Sequence, residues 1–338
     1  MEYGIMIARY ARVRVMYNGK NITADVSDKI LGFTFTDNAA GEMDNIDLTL
    51  EDTNLNFMGS WFPGKGAKVK AYIDTFNWNK SGEKLSLYCG SFRIDEVECS
   101  FNPNTISMKG VSAPLGSGMK KTKRTKAWEG MKLKDIASQI AAANGLKFFW
   151  HSTMNMGAMR YDQRDESDLT FLKRALDVYA HHVKVSEETL VCYFEDDYKL
   201  IVPSVTYTPK TIETGSFRDK TDGTYSKAKV RYNNPKTKKT ESHEVSDSTN
   251  TSGQELNVNV RAENKADAEN KAKAALKKKN KEGVTCNISC MGNPSLRAAY
   301  RLSLSGFGHF SGTYFTDKVT HSLDKSGGYT CSVEAHRP

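Results

Sequence analysis

The sequence predicts a mixed β fold with α+β character, in which two similar β-barrel domains flank a small α/β domain. Three observations lead there. Short alternating apolar–polar runs with turn residues between them fill both ends of the chain. A middle segment switches to helical period. A stretch near residue 90 recurs near residue 312. The 338 residues exceed what one ordinary core organises, and the domains are expected at 1–125, 126–205 and 206–338. The last carries an inserted polar loop and helix.

The first domain opens with the alternating run 12–17 (RVRVMY) and the turn Asn18-Gly19, a strong hairpin signal. Strands follow at 30–37, 45–51, 67–73, 85–98 and 104–111, with a short helix or loop at 53–61 before Pro63. Regularly spaced short strands of this kind read as a barrel or sandwich. In 133–145, Leu133, Ile136, Ala137, Ile140 and Ala141 share one helical face, and Gly145 stands where a C-terminal cap belongs. The apolar run 146–150 and strands at 182–185 and 189–194 complete the α/β domain. The final domain has strands at 225–232, 255–261, 284–290, 298–305, 312–320 and 328–335. A helix at about 265–281, rich in Ala and Lys, is expected to be mostly solvated, and the polar stretch 236–254 to be a mobile loop. The loops 74–84 and 236–254 are expected to contact other proteins.

The repeat aligns GSFRIDEVECS (90–100) with GTYFTDKVTHS (312–322) without gaps. Gly90/Gly312, Asp95/Asp317, Val97/Val319 and Ser100/Ser322 are identical. Each stretch precedes a turn and a further strand, and each follows a proline and an alternating strand. Two copies of one β-barrel type, separated by a different domain, account for this order.

Composition narrows the function classes. Apolar residues make up 38% of the chain, enough to fill cores. No run approaches the ~18 apolar residues of a membrane helix, so no membrane anchor is expected. Six cysteines without a CxxC pair read as scattered buried thiols rather than a zinc site. The net charge of +8 concentrates at 120–126, 227–239 and 271–281. These runs permit contact with nucleic acid or an acidic partner, but no aromatic residues interleave with them. HExxH, GxSxG and phosphate-loop patterns are missing. The acidic pairs Asp44/Asp47, Glu51/Asp52 and Asp95/Glu96 fall in or beside strands, where alternate residues face solvent. Neither a catalytic residue, a cofactor site nor a metal site is expected.

One segment looks chemically loaded: DQRDESDLTFLKRALDVYAHH at 162–182. Its period resolves it. Leu169, Leu172, Leu176 and Tyr179 share a helical face, Ser167 is placed as the N-cap and Asp168 lies in the first turn. His181 and His182 are expected at the opposite end of a helix of ~14 residues, ~20 Å away, where protonated imidazoles suit the dipole. The segment therefore reads as a capped helix.

A series of segments spread along the whole chain resembles one family. These are NGKNI near the start, FTFTDNAAGEMDNIDLTLED (33–52), WFPGKG (61–66), CGSFRIDEVE (89–98), the basic-Trp-Glu passage at 120–129, DQRDESDLTFLKRA (162–175) and SGFGHFSGTYFTDKVTHSLDKSGGYT (305–330). They are similar to the phage late control gene D family, the baseplate hub proteins of contractile phage tails and tail-like particles. The N-terminal hub part of the VgrG spike proteins is similar too.

The resemblance implies tube-type barrels and a homotrimer that adapts the six-fold tail tube to the three-fold central spike. It implies as partners a tail tube or tube-initiator protein, a spike protein on a separate chain, and other baseplate components, with weak contact to passing DNA. The location implied is the baseplate of a virion or tail-like particle, assembled in the host bacterial cytoplasm. The competing readings are a tail-tip cell-wall hydrolase, drawn from Asp165, Glu166, His181 and His182, and a basic nucleic-acid-binding regulatory protein.

Overall fold

The computed structural model describes residues 8–112, 118–154, 156–157, 160–186, 188–200, 202, 204–233, 238–247, 250, 253–325 and 328–338. In chain order the first third contains β1 (Tyr10–Tyr17), β2 (Lys20–Asn21), α1 (Thr23–Val26), β3 (Ile30–Asn38), β4 (Asn45–Glu51), β5 (Lys68–Phe76), β6 (Lys84–Ser100) and β7 (Thr105–Val111). The middle contains β8 (Lys123–Glu129), α2 (Leu133–Ala143), β9 (Lys147–His151), β10 (Arg160–Ser167), α3 (Asp168–Asp177), β11 (His181–Ser186), β12 (Thr189–Phe194) and α4 (Glu195–Tyr198). The last third contains β13 (Ser204–Tyr207), β14 (Thr214–Asp219), β15 (Lys227–Asn233), β16 (Thr240–Ser246), β17 (Glu255–Asn259), α5 (Lys265–Asn280), β18 (Val284–Met291), β19 (Arg301–Leu304), β20 (Gly312–Asp324) and β21 (Gly328–His336). No helix among the described residues is long and apolar enough to cross a membrane.

Alternation builds the large sheet. In β4, Ile46, Leu48 and Leu50 point into the core while their neighbours are half-buried or exposed. Thirteen strands join, in the order β14-β18-β21-β20-β3-β4-β7-β6-β5-β1-β2, with β19 and β13 branching from β20. The same pairing order occurs twice. In the first third it runs β5-β6-β7-β4-β3, and in the last third β19-β20-β21-β18-β14, every pair antiparallel. The units meet where β20 pairs with β3, from Lys318 opposite Asn38 to Asp324 opposite Gly32.

Neither unit forms a closed ring among the described residues: the path of paired strands ends at β14 and β2. One core lies under both units, with Phe33, Phe35 and Ile73 in the same cluster as Ile288, Leu302 and Val333.

Two smaller modules attach to this sheet. The first is a mixed three-stranded sheet, β11-β12-β9, with β9 parallel to β12. Helices α2 and α3 share a core with it, built from Leu133, Ile136, Ile140, Phe171, Leu172 and Leu190. The ribbon β8–β10 borders it. The second module lies between β14 and β18. It is the sheet β16-β15-β17, covered by α5. Ala268, Ala272 and Leu276 pack on Ala228 and Val230, so the thin apolar face of this helix is buried. Small alanines let the helix axis approach the sheet closely.

Two expectations are corrected. The stretch 236–254 holds strand β16 rather than a continuous loop; 236–237, 248–249 and 251–252 lie outside the described residues. Helix α3 ends at Asp177, so Tyr179 is beyond it, and Ala180 turns the chain through a φ of 54° into β11.

Candidate functional site

Strand β11 (HHVKVS) shows how the α/β module is fastened. Its period of two turns His181, Val183 and Val185 into the interior and leaves His182 and Lys184 on the opposite face. Lys184 Nζ lies 3.0 Å from Asp37 Oδ1 and 3.2 Å from Asp44 Oδ1, and donates to the Asn38 carbonyl at 2.6 Å. Asp37 Oδ2 accepts the Ala298 N–H at 3.1 Å, and Asp44 accepts the Asn38 N–H at 3.0 Å. One lysine thus joins β11, the end of β3 and the approach to β19.

Burial penalises the Lys184 ammonium, but Asp37 and Asp44 outweigh this and hold it firmly protonated. Burial pushes the Asp44 carboxyl up to about 6; Lys184 pulls it down and Asp37 adds to the rise. Two nearby hydrogen bonds extend the seam. The Tyr193 hydroxyl donates to the Ala39 carbonyl at 2.8 Å, and the Ser112 hydroxyl donates to the Val185 carbonyl at 2.8 Å.

A second cluster centres on Glu195, the first residue of α4 and only 1% exposed. Its Oε2 lies 3.3 Å from His182 Nε2, and its Oε1 lies 3.2 Å from His336 Nε2 and 3.4 Å from Lys277 Nζ. The other ring nitrogen of His336 lies 2.8 Å from Asp317 Oδ2, and Asp317 Oδ1 is 2.7 Å from Lys281 Nζ. Burial opposes ionisation of Glu195, yet His182, His336 and Lys277 hold its carboxyl far below the usual range. Burial likewise disfavours the His336 cation, but Asp317 and Glu195 outweigh it and raise its pKa. Here the α/β module, α5, β20 and the last strand meet at one fully paired group of charges.

The residues singled out from the sequence fall in three places. Ser167 caps α3: its φ is −72° and ψ 157°, and its hydroxyl oxygen accepts the Thr170 N–H at 3.3 Å. Asp168 is buried in the first turn and accepts from Asn144 at 3.1 Å and Gln163 at 2.9 Å. Leu172 and Leu176 are fully buried, and Leu169 is partly buried against the same core.

The repeat pair Gly90 and Gly312 have φ of 128° and 141°, a region favouring glycine. Asp95 and Asp317 occupy matching bulges. The register slips between Ile94 and Glu96 against β7, and between Thr316 and Lys318 against β21. The two aspartates then diverge: Asp95 is exposed, whereas Asp317 is paired to His336 and Lys281.

The acid-and-histidine stretch does not assemble as one site. Glu166 is paired with Arg174 at 2.5 Å, and this lowers its pKa. Asp165 is paired with Lys123 at 3.1 Å. His181 is the expected cation that is not one. Burial lowers its pKa to about 4, and its Nδ1 lies 2.7 Å from the Tyr179 carbonyl, a partner that can only accept. The neutral ring therefore donates from Nδ1 and accepts the Ser152 hydroxyl at Nε2, 2.7 Å away.

Sequence reading missed Lys184, Glu195 and His336. Glu195 begins the acidic run EDDY, which looks like solvated surface, and only the tertiary fold buries it. The period of β11 was the available signal for Lys184. Chemically, both clusters have their carboxylates saturated by cations and N–H donors. Such charges fasten elements together, and they leave no free base beside a nucleophile. Among the described residues no group of three or more His, Cys, Asp and Glu is placed to hold a metal ion.

The YQBQ-like family model matches residues 119–335. The probable baseplate hub protein of Escherichia phage P2 is 30% identical over 162 residues, which are 47% of this chain and 39% of that protein. The match thus spans less than half of the curated relative. The crystal structure of a tail protein from Neisseria meningitidis superposes with a TM-score of 0.70 at 16% identity, covering 97% of each chain. An Escherichia coli component of the type VI secretion system superposes with a TM-score of 0.56 at 12% identity, covering 92% of this chain and 74% of that one. These structures share the fold.

Proposed function

We propose that this chain, which belongs to the YQBQ-like family, is a structural subunit of the baseplate hub of a contractile tail or tail-like particle. The observation that carries the reading is the duplicated five-strand unit, found in a chain whose curated relative is named a probable baseplate hub protein. Three copies around the tail axis present six similar units toward a six-fold tube, while the assembly keeps three-fold symmetry toward a spike. The open ends of the strand path support this, because ring closure covers sheet edges that a free monomer leaves unpaired.

Under this reading residues 1–125 and 206–338 are tube-like barrels completed by their neighbours. Residues 126–205 form the α/β domain that sets how the barrels sit. Further support comes from Trp61 and Phe62, 52% and 49% exposed at the rim of an apolar cavity of about 450 Å³. Aromatic surface of this kind is what partner contacts cover. The partners are a tail tube or tube-initiator protein, a spike protein and other baseplate components, with weak salt-sensitive contact to passing DNA. Assembly takes place in the host bacterial cytoplasm, and the role is structural, because the buried carboxylates are held by cations. Sedimentation equilibrium over a wide concentration range tests the assembly: the trimer is the expected species, and a stable monomer at high concentration contradicts it.

A further inference from the structure

Six cysteines are present, all as free thiols, and five of them are buried. Two are placed differently from the rest. Cys290 in β18 and Cys331 in β21 lie directly opposite each other in an antiparallel ladder. Directly opposed residues have Cα atoms about 4.5–5.5 Å apart, inside the disulfide range of about 4.4–6.8 Å. Both side chains enter the core, at 0% and 1% exposure.

Polar groups surround this pair, which is unusual for thiols used only as packing. Cys331 Sγ lies 3.2 Å from His321 Nδ1 and accepts the Asn293 N–H at 3.3 Å. The Tyr329 hydroxyl lies 2.8 Å from the same imidazole nitrogen, and Cys290 Sγ lies 3.4 Å from the Tyr207 hydroxyl. His321 Nε2 is buried and has no hydrogen-bond partner among the described residues. A buried imidazole with one unused nitrogen calls for an explanation. Its other nitrogen faces the Cys331 thiol and the Tyr329 hydroxyl, and burial lowers the imidazole pKa to about 4, so the ring is neutral.

We infer that Cys290 and Cys331 form an oxidative modification site, a cross-strand dithiol that a small disulfide such as oxidised glutathione converts to a disulfide. The chemistry balances. Cys290, as the thiolate, attacks one sulfur of the small disulfide and expels one small thiolate, which takes up the proton Cys290 has lost. Cys331 then attacks the Cys290 sulfur of the mixed disulfide and gives up its proton. The second small thiolate leaves and takes up that proton. Two protein thiols and one small disulfide become one protein disulfide and two small thiols, so the protein is oxidised by two electrons and the small disulfide reduced by two.

The order of attack follows from the surroundings. The hydrogen bond from Cys331 lowers the Cys290 pKa, whereas burial keeps the Cys331 thiol protonated. Because both sulfurs are buried, exchange proceeds through local opening of the β20–β21 hairpin, and the reaction is slow.

The test uses the full chain, incubated overnight under native conditions with oxidised glutathione. Thiols are then counted in denaturant, and unreduced peptides are mapped by mass spectrometry. The expected count falls from six to four, with a single linked peptide pair joining Cys290 to Cys331. Cys290→Ala keeps a full count of its remaining thiols after a small-thiol wash. Six thiols persisting in the wild type, or linkage through Cys89, Cys99, Cys192 or Cys286, overturns the proposal. Mapping the wild type needs no variant, so a substitution that fails to fold leaves the test intact.

Discussion

At the scale of single residues, the junction depends on charges that have left water together. Lys184 is a cation shared by Asp37 and Asp44. Lys184→Met strands two buried carboxylates and should cost about 3–5 kcal/mol in chemical unfolding, the usual loss when one partner of a buried ion pair is removed. A loss below about 1 kcal/mol contradicts the account.

The sign of the pH effect at Asp44 follows from its raised pKa. The native state holds this proton up to about pH 6, while the unfolded chain releases it near the ordinary carboxylate value of 3.8. Between these values the native state binds more protons. The group's contribution to stability is therefore complete below the unfolded pKa and is lost as pH rises through about 6. The stability difference between the wild type and Asp44→Asn should grow in favour of the wild type as pH falls from 6 toward 4. A difference that stays flat over that range removes the argument. His336 has the same sign: its pKa is raised, so its contribution is present below 6.5 and fades above its native value. Glu195 and Asp317, both lowered, contribute above the ordinary carboxylate range and lose that contribution in acid.

At the scale of elements, a helix cap and two paired glycines hold parts of the fold in place. Ser167→Ala removes the cap of α3 and should cost about 1 kcal/mol, measured as a shift in the denaturant midpoint with unchanged slope. Gly90→Ala and Gly312→Ala each force a side chain into a left-handed backbone region and should each cost about 1–3 kcal/mol. At Gly90 the new Cβ would also meet the Phe92 ring at 3.3 Å.

Legibility in the sequence differs sharply between elements. Strands with one buried face, such as β4 and β18, were visible within a residue or so because alternation records the buried face. The ribbon strands β8 and β10 were not, since Lys123–Glu129 is exposed at all positions but Trp128 and carries almost no apolar period. Strand β16 was hidden in the same way by its polar outer face. The glycine-and-aspartate repeat was visible as letters, and the matching bulges give it a backbone meaning. What no local pattern could reveal was the meeting of Glu195 with His336, 141 residues apart. Nor could it reveal the pairing of β20 with β3 that puts both units on one core.

At the scale of the whole molecule, the duplicated unit and the fastened α/β module fit a part whose purpose is to be held in an assembly. Among the described residues the main path of the large sheet ends at β14 and β2, and the proposed neighbours meet it there. The central claim is therefore most directly tested by a three-dimensional map of the assembled tail that contains this chain. The account predicts three copies around the axis, with their two five-strand units alternating in a six-membered ring against the tube. A tail in which the chain is absent from the axis, or is present there in any number other than three, contradicts it.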